Sequence, residues 1–155
     1  MSAVRVVALS GSLRAASVNT ALLREIAARA PKAVSVRLVP IGGLPLFNPD
    51  LEADLPAAVS AFRAEIVAAD ALIIASPEYA HGVSGVLKNA LDWLVGCEGF
   101  AGKPVTVLNA TPRARHAEAA LRETLSTMAA RIVEGIPFHP CNDTLRKGSD
   151  HAACI

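Results

Sequence analysis

Four side chains that can bind an anion lie within nine residues of one another near the start of the chain. Residues 11–19, GSLRAASVN, include Ser12, Arg14, Ser17 and Asn19. Their hydroxyl, amide and guanidinium groups all donate hydrogen bonds, and the guanidinium adds a positive charge. Alone, Ser17 would be read as a helix N-cap and Arg14 as a solvated surface residue. Together the four groups predict a site for phosphate.

A second polar stretch, residues 76–85 with the sequence SPEYAHGVSG, follows another apolar run. Pro77 is rigid and Tyr79 is aromatic, a combination that suits contact with a planar ring. Tyr79 could equally be a half-buried core residue. Glu78 could cap a helix or tie the loop to a neighbouring element, and His81 alone would be a surface histidine.

The elements that must position these loops alternate between strand and helix patterns. Residues 4–10 and 71–76 are near-continuous apolar runs and predict strands buried on both faces, whereas residues 34–39 alternate and predict an edge strand. Residues 104–110 and 132–138 predict two more strands, the last weakened by its glycine and proline. Apolar residues at helical spacing predict four helices: Val18, Leu22 and Ile26; Val59, Phe62 and Ile66 after Pro56; Leu87, Leu91 and Leu94; and Ala117, Leu121, Leu125 and Met128.

Strict alternation of strands and helices predicts one α/β domain with a doubly wound parallel sheet. With the second strand at the edge, the expected strand order is 2-1-3-4-5. Ligands bind such sheets at the carboxyl ends of the strands, where the order reverses. That point lies between the first and third strands, which the two polar loops follow.

Several common phosphate-binding sites are excluded by the sequence. The first loop lacks the Gly-Lys-Ser/Thr end of a Walker A motif and has one glycine where a dinucleotide fingerprint has three. It also lacks a cysteine for phosphatase chemistry, and Ser76-Pro77 stands where a receiver domain has its aspartate. A terminal phosphate monoester remains, and flavin mononucleotide (FMN) carries one. Backbone donors of the second loop would then contact the pyrimidine edge of the flavin.

Both loops resemble motifs of the NAD(P)H-dependent FMN reductase family, whose fold is flavodoxin-like. Residues 11–19 match the signature G-S-x-R-x-x-S-x-N in full, and residues 77–93, PEYAHGVSGVLKNALDW, follow the second motif closely. The resemblance implies hydride transfer from NADPH or NADH through bound FMN to flavin, quinone or similar small acceptors, with no catalytic side chain. It implies that the FMN phosphate is held by Ser12, Arg14, Ser17 and Asn19, and that the isoalloxazine is flanked by Pro77, Glu78, Tyr79, Ala80 and His81.

The chain departs from the family pattern at two positions of the second motif. Ala80 replaces the usual asparagine and Ser84 the usual proline, which predicts a lost contact to the ring edge and a more flexible loop. The segment 85–95 is apolar on two faces, one with Leu87, Leu91 and Leu94 and the other with Val86, Ala90 and Trp93. Since a sheet covers one face, the second is expected to pack on another subunit. The family resemblance implies a homodimer or homotetramer, and a deeply buried helix in a monomer is the alternative.

The C-terminal segment is unusual for this family. We expect a flavodoxin-like FMN-binding domain over residues 1–140 and an atypical tail over residues 141–155, which shows no amphipathic pattern for the family's last helix. Four potential zinc ligands lie in and just before the tail, but their spacing fits no common pattern, so we predict no metal site. These residues are His139, Cys141, His151 and Cys154.

Composition restricts the partners and the location. A formal net charge of +1 gives no field that would attract nucleic acid or an anionic membrane, and no apolar run is long enough to span a bilayer. Three scattered cysteines argue against a disulfide framework and favour the cytoplasm. Two alternative functions stay open, a flavodoxin-like electron carrier and a flavin-less structural or regulatory subunit. A sequence pI near 7.8 argues against the carrier, because such carriers are strongly acidic.

Overall fold

The computed structural model describes residues 3–136, and its centre is a parallel sheet of five strands. These strands are β1 (Val4–Ser10), β2 (Val34–Leu38), β3 (Ala71–Ala75), β6 (Pro104–Leu108) and β7 (Arg131–Ile132). They lie in the order β2-β1-β3-β6-β7, with parallel pairing throughout. Two further strands, β4 (Glu78–Tyr79) and β5 (Gly82–Val83), form a separate antiparallel hairpin. The main sheet therefore has the predicted order 2-1-3-4-5.

Helices cover both faces of this sheet, as the alternating pattern predicts. They are α1 (Val18–Ala28), α2 (Ala57–Ala68), α3 (Gly85–Val95) and α4 (Arg115–Thr127). Helix α1 packs on one face, where the core is small, and the other three pack on the opposite face, where most large apolar side chains are buried. The predicted apolar residues of α2 and α3 are all buried, and so are those of α4 apart from Met128, which caps its end. The doubly wound, flavodoxin-like fold is confirmed.

Helix α1 is rotated relative to the prediction. The spacing predicts that Val18, Leu22 and Ile26 face the sheet, but the helix buries Asn19, Leu23 and Ile26, and Val18 is 58% exposed. The apolar spacing mispredicts the buried face of this helix because one of its buried residues, Asn19, is polar. That amide lies at the end of the anion-binding loop.

The fifth strand of the sheet is shorter than the sequence predicts. Instead of residues 132–138 it comprises the two residues of β7, after which Gly135 takes a left-handed conformation with φ of 72°. The Thr106 hydroxyl donates to the Gly135 carbonyl at 2.7 Å, and Ile136 packs on the α1 side of the sheet. The predictions for the tail, the last helix, the boundary at residue 140 and the four zinc-type ligands concern residues outside those described. Within residues 3–136 no cluster of three metal-ligating side chains occurs.

Most of the second apolar face of α3 is buried within this chain, which weakens the reason given for a second subunit. Trp93 is fully buried, and its indole N–H donates to the Pro45 carbonyl at 2.8 Å. The Phe47 ring meets the indole edge-on, with centroids 5.0 Å apart. Asn89, one turn earlier, donates to Pro45 at 2.9 Å and accepts from the Phe47 backbone N–H at 2.8 Å. A distant loop segment of the same chain therefore packs on Trp93, as the alternative of a buried helix predicts, whereas Val86 at the start of the same face lines an open cleft.

Candidate functional site

The two polar loops meet at the carboxyl ends of β1 and β3. The Gly11 backbone N–H donates to the Ala75 carbonyl at 2.8 Å, which extends the β1–β3 contact into the loops. A Cβ atom on residue 11 would lie 2.8 Å from Ser84 Oγ and 3.1 Å from Pro77 Cδ. Only glycine allows so close an approach, so Gly11 fixes the spacing of the two loops.

The first loop presents several donors at the start of α1. Ser17 is the N-cap of that helix, and its hydroxyl oxygen accepts from the Thr20 backbone N–H at 3.1 Å, which leaves the hydroxyl proton to donate elsewhere. The backbone N–H groups of residues 15–19 have no acceptor among the described residues. A helix N-terminus with free N–H groups attracts anions.

Two further side chains of this loop have no protein partner to occupy them. Asn19 is 5% exposed, and its amide makes no hydrogen bond to any of residues 3–136. Arg14 is exposed and has no ion-pair partner in the same part of the chain. A buried amide without a partner is costly unless a ligand or water satisfies it. Ser12 is 9% exposed and accepts weakly from the Arg14 backbone N–H at 3.4 Å. This donor set fits a phosphate monoester.

The second loop folds as the β4–β5 hairpin with a two-residue turn. Ala80 and His81 form that turn in left-handed conformations, with φ of 48° and 61°. Such a pair of positive φ angles is typical of a type I′ turn, for which asparagine and glycine are the favoured residues. The segment that was predicted to be more flexible adopts a paired hairpin, with residues at its tip in a conformation that alanine rarely adopts.

The hairpin is attached to the N-terminus of α4 at two points. Glu78 Oε2 accepts from the Ala117 backbone N–H at 2.9 Å, in the first turn of that helix. The His81 ring stacks on the His116 ring, with centroids 4.1 Å apart and an interplanar angle of 21°. Glu78 therefore fulfils both alternatives that the sequence left open, since it caps a helix and ties the loop to a neighbour.

Between the loops lies an open cleft of about 370 Å³. The structure brings two of the predicted residues, Arg14 and Tyr79, together in its wall. Tyr79 is 55% exposed, so it is not the core residue that the alternative interpretation required. Pro77 packs against Gly11 instead of lining the cleft. The complete lining is Gly11, Leu13, Arg14, Tyr79, Ser84, Gly85 and Val86.

Sequence reasoning missed Ser84 as a feature of this site. Its hydroxyl is the only fully buried side-chain polar atom within residues 3–136 that has no hydrogen-bond partner. It is the N-cap residue of α3 but makes no capping hydrogen bond, and it lies against Gly11. The replacement of proline by serine in the motif was the available signal, although the sequence does not reveal that the hydroxyl is buried.

Comparison with known proteins agrees with this geometry. The profile of a family described as NADPH-dependent FMN reductase matches residues 4–139. An NAD(P)H-dependent FMN reductase from Pseudomonas aeruginosa is 45% identical over 111 residues, which cover 70% of this chain and 60% of that protein. A 2-hydroxy-1,4-benzoquinone reductase from a Burkholderia species is 41% identical over 109 residues, covering 68% of this chain and 60% of that protein. The chain thus spans about 60% of the length of these two relatives.

Solved structures show the same relationship. FerB, a flavoenzyme NAD(P)H:(acceptor) oxidoreductase from Paracoccus denitrificans, superposes with a TM-score of 0.78 and is 32% identical; the match covers 88% of this chain and 80% of that one. A flavodoxin from the domain Archaea superposes with a TM-score of 0.57 at 13% identity, over 84% of this chain and 79% of that one. The second match shows the fold alone.

Proposed function

Because the chain belongs to the NADPH-dependent FMN reductase family, we propose that it transfers a hydride from NADPH or NADH, through bound FMN, to a quinone, a flavin or a similar small acceptor. The observation that carries the proposal is the loop after β1, whose donors have no protein acceptor, next to a cleft walled by Arg14 and Tyr79. The names of relatives that reduce FMN and quinones support it.

The loop after β1 would hold the FMN phosphate. The free N–H groups of residues 15–19 and the dipole of α1 favour its negative charge. Ser17 would donate its hydroxyl proton, Asn19 its side-chain amide and Arg14 a charged hydrogen bond. Ser12 lies at the same loop and supplies a further hydroxyl.

The β4–β5 hairpin would position the flavin ring. Tyr79 presents an exposed aromatic face to the cleft, and the backbone N–H groups of Ala80 and His81 have no acceptor among the residues described. Glu78 and His81 would act indirectly, because their side chains fix the hairpin on α4. Bound FMN supplies the hydride-accepting and hydride-donating centre, so the side chains need only bind and orient.

An open cleft suits successive binding of the nicotinamide and the acceptor. Substrates that exchange in turn on one exposed ring need access from solvent, and the cleft between the loops has it. Among the possible acceptors, quinones are favoured by the names of two relatives, a 2-hydroxy-1,4-benzoquinone reductase and a quinone reductase. We further propose a cytoplasmic location, which the scattered cysteines support. A homodimer or homotetramer stays a prediction from the family resemblance, because Ala90 and Trp93 of the α3 face that suggested a second subunit are buried within the chain.

The test is to purify the protein, measure its FMN content by absorbance, and follow the oxidation of NADPH and NADH with 1,4-benzoquinone as the acceptor. We expect a yellow protein that oxidises a reduced pyridine nucleotide only when the quinone is present. A yellow protein without this oxidation would support the electron carrier. A colourless protein that cannot be reconstituted with FMN would support the flavin-less subunit.

The phosphate assignment has its own test. Arg14→Ala and Ser17→Ala should each weaken FMN binding by about 1–3 kcal/mol, as expected for charge-assisted hydrogen bonds, measured by fluorescence titration of FMN. Arg29→Ala is the matched control, because Arg29 is exposed and already paired with Glu25 at 2.5 Å. Unchanged affinity in both loop variants would refute the assignment.

A further inference from the structure

The Ser84 hydroxyl is an unpartnered polar group in the wall of the cleft between the loops. Ser84 is 2% exposed, and its oxygen lies against Gly11, where it would be 2.8 Å from a Cβ atom on that residue. This hydroxyl has no hydrogen-bond partner within residues 3–136. A buried hydroxyl without a partner costs free energy, so a ligand that supplies a partner recovers that cost when it binds.

A second serine hydroxyl beside Gly11 is satisfied within the protein. Ser76 is also buried, at 6% exposure, and its oxygen would lie 3.2 Å from the same Cβ position. It donates its hydroxyl proton to the Pro77 carbonyl at 2.8 Å. Close packing against Gly11 therefore does not by itself deprive a serine of a partner, and the lack of one is particular to Ser84.

Ser84 also leaves the start of a helix without a side-chain cap. Serine is a favoured N-cap residue, and Ser17 caps α1 with its hydroxyl oxygen. Ser84 occupies the corresponding position before α3, but its hydroxyl makes no capping hydrogen bond. The backbone N–H groups of residues 85–87 have no acceptor in the part of the chain that the structure describes. The hydroxyl and the helix end are thus both available to a ligand in the cleft, which the first residues of α3 also line.

The position of Ser84 indicates which part of FMN it can reach. Gly11 begins the loop that presents the donors for the phosphate, and Ser84 directly follows the β4–β5 hairpin that faces the ring. The contact between Gly11 and Ser84 is therefore the junction of the phosphate and ring subsites. In FMN the phosphate and the isoalloxazine are joined by the ribityl chain, which carries three hydroxyl groups. A molecule that fills both subsites places this chain at the junction.

The other polar parts of FMN have donors elsewhere in the site. The phosphate has the loop of residues 11–19 and the N-terminus of α1, and the polar edge of the ring has the backbone N–H groups of Ala80 and His81 at the hairpin tip. The ribityl hydroxyls are the polar groups that these donors leave over. They both donate and accept hydrogen bonds, and so does the hydroxyl of Ser84, which makes the two groups compatible in either direction.

We propose that the Ser84 hydroxyl binds a ribityl hydroxyl of FMN, which makes Ser84 a further cofactor-binding residue. The inference rests on the proposed function. It concerns a position where this chain departs from the family pattern, because the usual proline has no hydroxyl. Rotation about the Cα–Cβ bond of Ser84 turns the oxygen from Gly11 towards the cleft. The flavin-free protein carries the cost of the unpartnered hydroxyl, and the bound ribityl chain removes it.

This arrangement gives stability and affinity opposite responses to the loss of one oxygen atom. Ser84→Ala should make the flavin-free protein more stable but should weaken the binding of FMN about tenfold, the effect of one buried hydrogen bond. A hydroxyl with only a structural role would not weaken FMN binding while its removal stabilises the fold.

The experiment measures dissociation constants by fluorescence titration for FMN and for its 2′-, 3′- and 4′-deoxy analogues, each of which lacks one ribityl hydroxyl. The about tenfold loss in Ser84→Ala should vanish, to within about twofold, for the one analogue that lacks the partner of Ser84, and should persist for the other two. Ser76→Ala is the matched control, because its hydroxyl also lies against Gly11 but is bonded within the protein. It should leave the affinity for FMN within about twofold of the wild type.

The outcomes separate this inference from the proposed function. The ribityl contact is overturned if Ser84→Ala binds FMN as tightly as the wild type, if it loses the same affinity for FMN and all three analogues, or if Ser76→Ala weakens FMN equally. Each of these results can occur in a protein that oxidises NADPH with a quinone. If instead FMN binds through Ser84 but no reduced pyridine nucleotide is oxidised, the proposed function fails and the ribityl contact stands.

Discussion

Two serines at equivalent positions of two helices should respond to the same substitution with opposite changes in stability. Ser17 is the N-cap of α1 and Ser84 the N-cap of α3, and both are buried, at 6% and 2% exposure. The Ser17 hydroxyl accepts from Thr20, whereas the Ser84 hydroxyl has no partner. We expect Ser17→Ala to lower the free energy of unfolding and Ser84→Ala to raise it.

The magnitudes follow from the contacts. Loss of a serine N-cap hydrogen bond costs about 1 kcal/mol. A buried hydroxyl without a partner carries a desolvation penalty of about 1–3 kcal/mol, part of which is offset by the packing of the oxygen against Gly11. A gain of about 1 kcal/mol is therefore expected for Ser84→Ala. The two variants should differ by about 2 kcal/mol in total.

Urea denaturation of the flavin-free protein measures this difference, because FMN would otherwise add binding energy to the stability. Ser84→Pro provides a second variant, since Ser84 has φ of −59°, which a proline ring adopts without strain, and follows an extended strand residue. It should be at least as stable as Ser84→Ala. If Ser84→Ala is destabilised as much as Ser17→Ala, the hydroxyl has a partner in solution and the reasoning is refuted.

Three further substitutions test other parts of the structure. Ala80→Asn should raise the thermal midpoint by a few degrees, because asparagine adopts the left-handed conformation of this turn more readily than alanine; no change would refute the type I′ assignment. Asn89→Ala should lower the free energy of unfolding, measured by urea denaturation, by about 2–3 kcal/mol, since it removes two hydrogen bonds to the segment 45–47. A loss below about 0.5 kcal/mol would show that these hydrogen bonds do not hold the segment against α3. Burial lowers the pKa of Lys103, so the unfolded chain binds more protons than the folded chain at alkaline pH. The free energy of unfolding of the wild type should therefore rise relative to that of Lys103→Met as the pH approaches 10.5. Parallel curves of unfolding free energy against pH for the two proteins would contradict this.

The order of the strands could be predicted because the burial of each strand determines the pattern of apolar residues within that strand. A strand between two others, such as β3, is buried on both faces and reads as continuous apolar residues, whereas the edge strand β2 alternates. The position of the site follows from that order, because the loops after β1 and β3 must meet at the switch point. The strand assignments come from segments of seven residues or fewer, such as β1, and the order also depends on the alternation of strands with helices along the chain.

Orientations set by distant contacts could not be predicted in the same way. The burial of Trp93 depends on Pro45 and Phe47, more than forty residues away, and no periodicity within α3 distinguishes a covering loop from a second subunit. The burial of Asn19 could not be predicted either, because an amide interrupts the apolar pattern that marks the buried face of a helix. Such an interruption is expected where a ligand, not the core, satisfies the side chain.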